Sequence, residues 1–577
     1  MRSWWSSSPE IRRRDIAVAA AVGTLVALIQ FANLLPTLDT NIASDLGDPV
    51  PQAWQVAWDG HAVVNQPLLF WQANQFFPEK DTLAFSDALV GYTPAGLLGS
   101  GQAASIARYN VLFLFAFALA FLAAWLLASE LGTGAIPALV GASAFAWAPW
   151  RMQQGPHLHV LSSGPMLLAI FLLLRGYRRQ SPRLIVAGFV AALWQESIGF
   201  SLGLQLDYLL LAGALIGLVC WLRSGKPKPT KATVLSTAGG SLLLLVGSWT
   251  LMRPYLRVID SQPQALHHLR ELYVFSPHLW SFMAPPKQSA LYSGIASQLA
   301  DHFGTGYSEK GLYLGLPIVV LTLIGLFWQG FPRALKIGLA ITAAIAAVLS
   351  LGVRSSGLGH YLPYRFLFEY APGWQGIRTP GRIHTITTLV LAMLTAGGAA
   401  LIWDRLSGSG RGNRLAVLAI GGLCVLVLID GSGFPYAHPK VAKAPSALAS
   451  IRGPLFQLPA APENNRLYLL WSTNGFTKMV NGRSTVTPES YKRALAAARH
   501  FPSPASIRTL EALGVRNVVV HTEFANQRNG SHDGKKWLSQ PQFRSPTWKQ
   551  AVSVKNPSGL GVSRSLKRPL VIYHLPY

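Results

Sequence analysis

Apolar stretches approaching the ~20 residues that a helix needs to cross a bilayer recur along this chain. No other feature narrows its fold as much. They cover residues 16–35, 109–127, 136–147, 161–174, 184–222, 234–252, 312–328, 334–351, 383–402 and 415–429. The run 184–222 is too long for one span and is read as two joined near 196–203, giving about eleven spans in all. Hydrophobic residues make up 50% of the 577 and charged residues only 13%. The expected fold class is a mainly α, polytopic transmembrane helical bundle, and a soluble enzyme is excluded.

Lys and Arg in the short connections set the orientation. With the N-terminus cytoplasmic, the inner segments hold Arg2, Arg12, Arg13 and Arg14, then Arg175, Arg178, Arg179 and Arg183, then Arg223, Lys226, Lys228 and Lys231. Arg333 and Lys336, then Arg405, Arg411 and Arg414, complete the series, and 129–135 is the neutral exception. This places residues 36–108 and the tail after Asp430 on the extracytoplasmic side. The first span follows three arginines as a signal peptide would. It is long, however, and no small-residue cleavage site closes it, so a retained anchor is expected. Trp125, Trp147, Trp221, Trp249, Trp328 and Trp403 fall near span ends, as an interfacial belt requires. Cys220 and Cys424 lie inside apolar spans and point to neither a disulfide nor a metal site.

Two regions are expected. Residues 1–430 form the membrane module, with long external loops at 36–108, 253–311 and 352–382. Residues 440–577 form a small extracytoplasmic α/β domain. Within it 467–471, 515–521 and 569–574 read as strands and 491–500 and 505–513 as helices, with looser packing expected around 531–563. Residues 431–577 hold 20 Lys/Arg against 5 Asp/Glu and so carry +15 of the formal +25. A basic domain outside a membrane faces anionic headgroups or an anionic envelope polymer. No aromatic-interleaved motif points to nucleic acid.

Against this basic background, seven of the 24 acidic residues fall within 36–108. The densest part reads Asp39-Thr-Asn-Ile-Ala-Ser-Asp45-Leu-Gly-Asp48-Pro49. Pro49 disfavours α conformation at Asp48 and Gly47 eases a turn, so the pair is expected on a bent loop. Two close carboxylates split roles, because repulsion raises the pKa of one, or they coordinate a divalent cation. The plainer reading is an Asx-rich turn that caps the next helix. Trp54 and Trp58 stand at helical spacing within 51–64, and with the aromatic stretch 68–77 they suit short helices lying in the membrane interface. Asp59, His61, Glu79, Asp81 and Asp87 share this loop, with Glu79 and Asp87 the secondary acidic candidates.

Other candidates lie at span ends. Glu196 sits near an outer end, where an ionisable residue is costly. Its plain reading is an exposed turn residue. Arg151, His157 and His159 form a short loop suited to hydrogen bonding or phosphate contact, and no Cys or Glu follows in register to complete a metal site. Arg253, Arg257, His267, His268, Arg270, Arg378 and Arg382 place cations just outside the membrane. Guanidinium forks bind phosphate bidentately, and Arg378 and Arg382 bracket the rigid turn Thr379-Pro380-Gly381.

The layout resembles the GT-C superfamily of membrane glycosyltransferases. The match rests on Asp45-Leu-Gly-Asp48-Pro49, on Phe76-Phe77-Pro78-Glu79 and on Gln375-Gly-Ile-Arg378. It also covers poorly characterised bacterial members with a small terminal domain. The resemblance implies a sugar donor linked to polyprenyl phosphate and transfer on the external face. Asp45 or Asp48 would be the general base and the external arginines would hold the donor phosphate. The sequence has no Asp-x-Asp or adjacent acidic pair of the kind several subfamilies use. That departure leaves open which residue is the base and whether a divalent cation, Mg or Mn, is required.

The leading expectation is an inverting glycosyltransferase that modifies a cell-envelope glycan, lipid or protein. The rivals are a non-enzymatic lipid-linked glycan transporter, an envelope assembly scaffold, and a ligase or polymerase of diphosphate-linked glycans that relies on arginine.

Overall fold

The computed structural model describes residues 8–223, 229–303, 306–354, 362–407, 412–433, 436, 438–521, 563–567 and 570–575. Arg2, Lys226, Lys228, Arg411 and nearly all of the 531–563 loop lie outside the described residues. Two compact units emerge. One is built from Met1–Thr37, Asn110–Met252 and Leu266–His438, the other from Leu38–Tyr109, Arg253–Ala265 and Pro439–Tyr577.

Among the described residues, seven helices are long and apolar enough to cross a membrane: Gly101–Glu130, Leu158–Arg178, Phe200–Arg223, Lys231–Ser261, Arg333–Ser350, Pro380–Ser407 and Asn413–Gly431. The remaining expected spans fall on shorter or more charged helices, Arg13–Gln30, Ala138–Ala146, Pro182–Ile198 and Leu316–Gly325. The run 184–222 breaks at Gly199, between Pro182–Ile198 and Phe200–Arg223.

In the first unit, helix His384–Ser407 is the hub. It packs against Ala138–Ala146, Leu316–Gly325, Arg333–Ser350 and Gly412–Gly431. Its middle reads Thr395-Ala-Gly-Gly-Ala-Ala400, a run of small residues that lets helix backbones approach. A Cβ on Gly398 would lie 2.2 Å from the Leu321 carbonyl oxygen, and one on Gly325 would lie 2.0 Å from that of Leu394. Gly141 meets the Ala396 methyl in the same way, at 2.7 Å. Thr322 and Thr395 join hydroxyls across the seam at 3.2 Å. At one end of this unit, the fully buried Glu130 carboxylate takes Arg175 and, at 2.9 Å, Arg178. Ser8 donates to the same carboxylate at 3.1 Å, which ties the N-terminal segment to two helices.

The second unit is organised by a four-stranded sheet of β1 (Leu455–Leu458), β2 (Asn517–His521), β3 (Ser563–Lys567) and β4 (Leu570–His574). The order is β1-β2-β4-β3, with β1 parallel to β2 and the other pairs antiparallel. Both faces are covered, which is why β2 reads as a continuous Val-Val-Val run rather than an alternation. Phe456, Val518, Val520, Val571 and Tyr573 face a core with Tyr491, Ala494, Ile507, Leu510, Phe76 and Phe85. Leu455, Val519, Leu570 and Ile572 face Trp54, Trp58, Tyr468 and Trp471.

Two expectations are corrected here. Residues 467–471 are not a strand but the end of helix Pro462–Trp471. Pro462 opens that helix, and its buried positions, Asn464, Asn465, Tyr468 and Leu469, recur at helical spacing. The helix expected at 51–64 is present as Pro49–Asn65, but it is no lone surface helix. Thirteen of its 17 residues are buried, because it covers one sheet face. Residues 68–77 hold a single 3₁₀ turn, Pro67–Leu69, and otherwise lack helix.

The hub packing predicts a sharp contrast between glycines. Gly398→Val should destabilise the detergent-solubilised protein by about 1–3 kcal/mol, because its side chain must push backbone aside. Gly421→Ala should leave the thermal midpoint unchanged, since nothing lies within 4 Å of a Cβ there.

Candidate functional site

The Asp45–Asp48 turn begins at Ser44, held at φ 75°. Asp45 is exposed, and its Oδ1 accepts the Gly47 N–H at 2.7 Å, the local turn that Asp favours. A side chain on Gly47 would collide with that carboxylate, since a Cβ falls 2.7 Å from Oδ1. Asp48 is half-buried and adopts φ −68°, ψ −25°, an α conformation, contrary to the expectation from Pro49. Pro49 occupies the first helical position, where its missing N–H costs nothing. The Asp48 carbonyl then accepts the Gln52 N–H at 3.1 Å, which extends the helix back by one residue. Asp48 makes no side-chain capping bond to the helix. The charges of Asp45 and Asp48 both bear on Tyr109, whose hydroxyl lies 3.5 Å from Gln52 Oε1.

Most other polar residues of 36–108 are held by the fold. Glu79 is half-buried and accepts Ser490 Oγ at 2.5 Å and Gln262 Nε2 at 3.1 Å. Asp81 receives the Arg257 guanidinium bidentately at 2.8 and 2.9 Å, and Gln72 donates to it at 2.9 Å. Arg257 therefore already holds a carboxylate where a phosphate was expected. Asp87 is half-buried, and its carbonyl accepts Gln55 Nε2 at 2.8 Å. His61 packs its ring 4.4 Å from Phe476, and its Nδ1 lies 3.2 Å from Asn65 Nδ2. Burial lowers the His61 pKa. Asp59 was passed over by sequence reasoning, although it is the most unusual group in this unit. It is fully buried on helix Pro49–Asn65, and neither carboxyl oxygen meets a hydrogen-bond partner among the described residues. Burial pushes its pKa well above the ordinary 3.8.

In the first unit, Arg151 is 2% exposed. It donates to Ser163 Oγ at 3.2 Å and to the carbonyls of Ala116 and Leu161, with Phe117 and Phe145 against its face. It ties helix Gly101–Glu130 to the segment around 161–163. His157 and His159 belong to a cluster that the sequence did not reveal, centred on Glu309. Arg382 Nη2 donates to Glu309 Oε1 at 2.6 Å and Arg382 Nε to Oε2 at 3.3 Å. Arg382 Nη1 lies 3.0 Å from His159 Nε2, and His157 Nε2 lies 3.5 Å from Glu309 Oε1. Burial would raise the Glu309 pKa, but the charge of the neighbouring cations, the Arg382 guanidinium first, outweighs it and holds the carboxyl at about 2.

Arg378 lies over the Phe275 ring at 5.1 Å, near His267, which pairs with Glu271 at 2.7 Å. Arg253 is exposed. Glu196 is not a turn residue. It sits in the last turn of Pro182–Ile198, beside Asp207 on the next helix and Ser248. Among the described residues no three His, Cys, Asp or Glu side chains group closely enough to hold a metal ion.

Comparison with known proteins adds a remote likeness. No family model matches the chain, and no curated protein matches it. Solved structures similar to it include the apo oligosaccharyltransferase of Archaeoglobus fulgidus, at 12% identity and TM-score 0.45 over 89% of this chain and 70% of that one. Another is the oligosaccharyltransferase AglB of the same archaeon in complex with an inhibitory peptide and a dolichol-phosphate, at 13% identity and TM-score 0.42 over 88% and 69%. A third is the A. fulgidus enzyme tethered to an acceptor peptide, at 12% identity and TM-score 0.44 over 91% and 70%.

Asp59 yields a test of the second unit. A carboxyl whose folded pKa is raised gives its full stability below the unfolded value of 3.8 and loses it as pH rises above that. Asp59→Asn should flatten this decline and stabilise the protein at pH 7 by about 1 kcal/mol or more, as read from thermal unfolding across pH 4–8. An unchanged pH profile would show that Asp59 is not the buried neutral acid described.

Proposed function

We propose that the protein is a membrane glycosyltransferase that uses a polyprenyl-phosphate-linked sugar. The observation that carries this reading is the Asp45–Asp48 turn: an exposed carboxylate and a half-buried one beside the start of a helix, with charges that bear on the same tyrosine. Asp45 or Asp48 accepts the proton of an acceptor hydroxyl. The freed oxygen attacks the anomeric carbon from the face opposite the lipid phosphate, which leaves with the bonding electrons, so the configuration inverts. The helix N-terminus favours a carboxylate at this place. Asp45 and Asp48 also supply the oxygen donors that a hard cation such as Mg²⁺ or Mn²⁺ takes.

Arg253, Arg257, Arg378 and Arg382 are the arginines proposed for the donor phosphate, two of them paired with a carboxylate in this structure, Arg257 with Asp81 and Arg382 with Glu309. The expected orientation puts the acidic turn and the basic C-terminal region on the extracytoplasmic side of about eleven spans. The acceptor is then a cell-envelope glycan, lipid or protein, and the basic region faces an anionic envelope polymer.

Purified protein should transfer label from one of a panel of polyprenyl-phosphate sugars to membrane extracts. The Asp45→Asn/Asp48→Asn double variant should lose at least about a hundredfold in rate, as expected for a general base. EDTA added to the wild type tests whether a cation is required. Undiminished transfer by the folded double variant would remove the catalytic assignment.

A further inference from the structure

The Glu309 cluster presents a conflict. Arg382 is proposed to hold an anionic phosphate, yet its fork already holds a carboxylate. The two Glu309 oxygens sit where two phosphate oxygens would sit on a guanidinium, at 2.6 Å from Nη2 and 3.3 Å from Nε. His159 accepts from Nη1, because a guanidinium only donates, and so fixes the plane of the fork. His157 Nδ1 faces Gln154 Oε1 at 2.9 Å, while the amide of Gln154 donates to the Ser308 carbonyl. Nδ1 therefore gives its proton to Gln154, and Nε2, 3.5 Å from the Glu309 carboxylate, attracts an anion when the ring is protonated.

The surroundings are built to keep this cradle in place while its occupant changes. Glu309 and His157 side chains are 6% and 10% exposed, and Arg382 is 12% exposed. The backbone that carries Glu309 is pinned by Gln153, which donates to the Tyr307 carbonyl at 2.5 Å, and by Gln154 on Ser308. The Glu309 carbonyl packs against Gly381, where a Cβ would lie 2.3 Å away, so the two segments stay in register.

We propose that Glu309 is an internal counter-ion occupying an oxyanion site formed by Arg382 and His157 and oriented by His159. The phosphate of the lipid-linked donor takes that site by displacing the Glu309 carboxylate. This rests on the reading of the donor as a lipid phosphate. Glu309 acts as a positioning residue: it keeps a buried arginine paired while the site is empty, which spares the cost of an uncompensated charge. Its departure makes affinity depend on competition between two anions.

The test is binding of a short-chain polyprenyl phosphate to the full chain in nanodiscs, with inorganic phosphate as a second probe. Glu309→Gln keeps the shape but removes the competing charge, and should tighten polyprenyl phosphate binding about tenfold. Arg382→Gln should weaken it by a similar factor. Glu309→Asp, whose shorter carboxylate reaches the fork less well, should fall between wild type and Glu309→Gln. It also serves if Glu309→Gln fails to fold. A gain in affinity cannot arise from misfolding. Weaker or unchanged binding in folded Glu309 variants, with Arg382→Gln still impaired, would overturn the counter-ion role alone. No effect of Arg382→Gln would instead remove the arginine from the donor site proposed above. Inorganic phosphate binding as tightly as the lipid phosphate would overturn the assignment to a lipid-linked ligand.

Discussion

Backbone contact at glycine is the constraint on which the first unit depends. Helix His384–Ser407 touches four neighbours, and it does so closely enough that Gly398 and Gly325 have no room for a methyl group. Without water to drive helices together, such close approach is what membrane helices have to gain from packing. It has a consequence at the start of that helix. The turn Pro380–Ile383 leads directly into His384, so fixing the helix fixes Arg382, and Arg382 in turn fixes Glu309 and His159. The polar cluster is thus positioned by an apolar seam in the middle of the same helix.

In the second unit the corresponding constraint is a sheet that must be covered on both faces. Helices Glu489–Ala498 and Pro504–Ala512 cover one face, together with Phe76 and Phe85. The other is covered by Pro49–Asn65 and Pro462–Trp471. The Trp54 indole N–H reaches Asn74 Oδ1 at 3.0 Å and that of Trp58 reaches the Phe70 carbonyl at 3.0 Å, so both rings are buried with their polar edges satisfied. The Asp45–Asp48 turn therefore opens onto a helix locked into a core. Its carboxylates are carried on a rigid support, as a general base requires.

The sequence made the seven long apolar helices legible because each is an apolar run long enough to have few other stable uses. It marked the Asp45–Asp48 turn because acids crowded into a basic chain stand out locally. It hid what depends on distant partners. Glu309 and Arg382 are 73 residues apart, and neither is flanked by anything that announces the other. Strand β1 is four residues long between Pro454 and Pro459, which read as breakers. The short apolar run 467–471 carries no period of its own, so helix and strand could not be separated without the buried Asn464 and Asn465 that precede it. Trp54 and Trp58 mark a helix correctly by spacing, but spacing does not say whether lipid or a sheet covers it.

Charge use joins these observations. The chain has 24 acidic residues against 49 Lys and Arg, so carboxylates are its scarce polar resource. Several are consumed inside the fold, each against a named cation: Glu130 by Arg175 and Arg178, Asp81 by Arg257, Glu309 by Arg382. Breaking the buried pairs of Glu130 and Glu309 leaves an uncompensated charge, so these two acids are bound to structure unless another anion replaces them, whereas the Arg257 side chain beside Asp81 is 51% exposed. Glu130 has no such replacement in the proposed chemistry. Glu309 does, because a phosphate offers the same fork the same oxygens. Asp45 differs from all three in being exposed, with the Gly47 N–H on its Oδ1 at 2.7 Å. Exposure suits a carboxylate that must meet an acceptor, and a buried pairing with guanidinium suits one whose task is to release an arginine. This separates the roles proposed for Asp45 and Glu309.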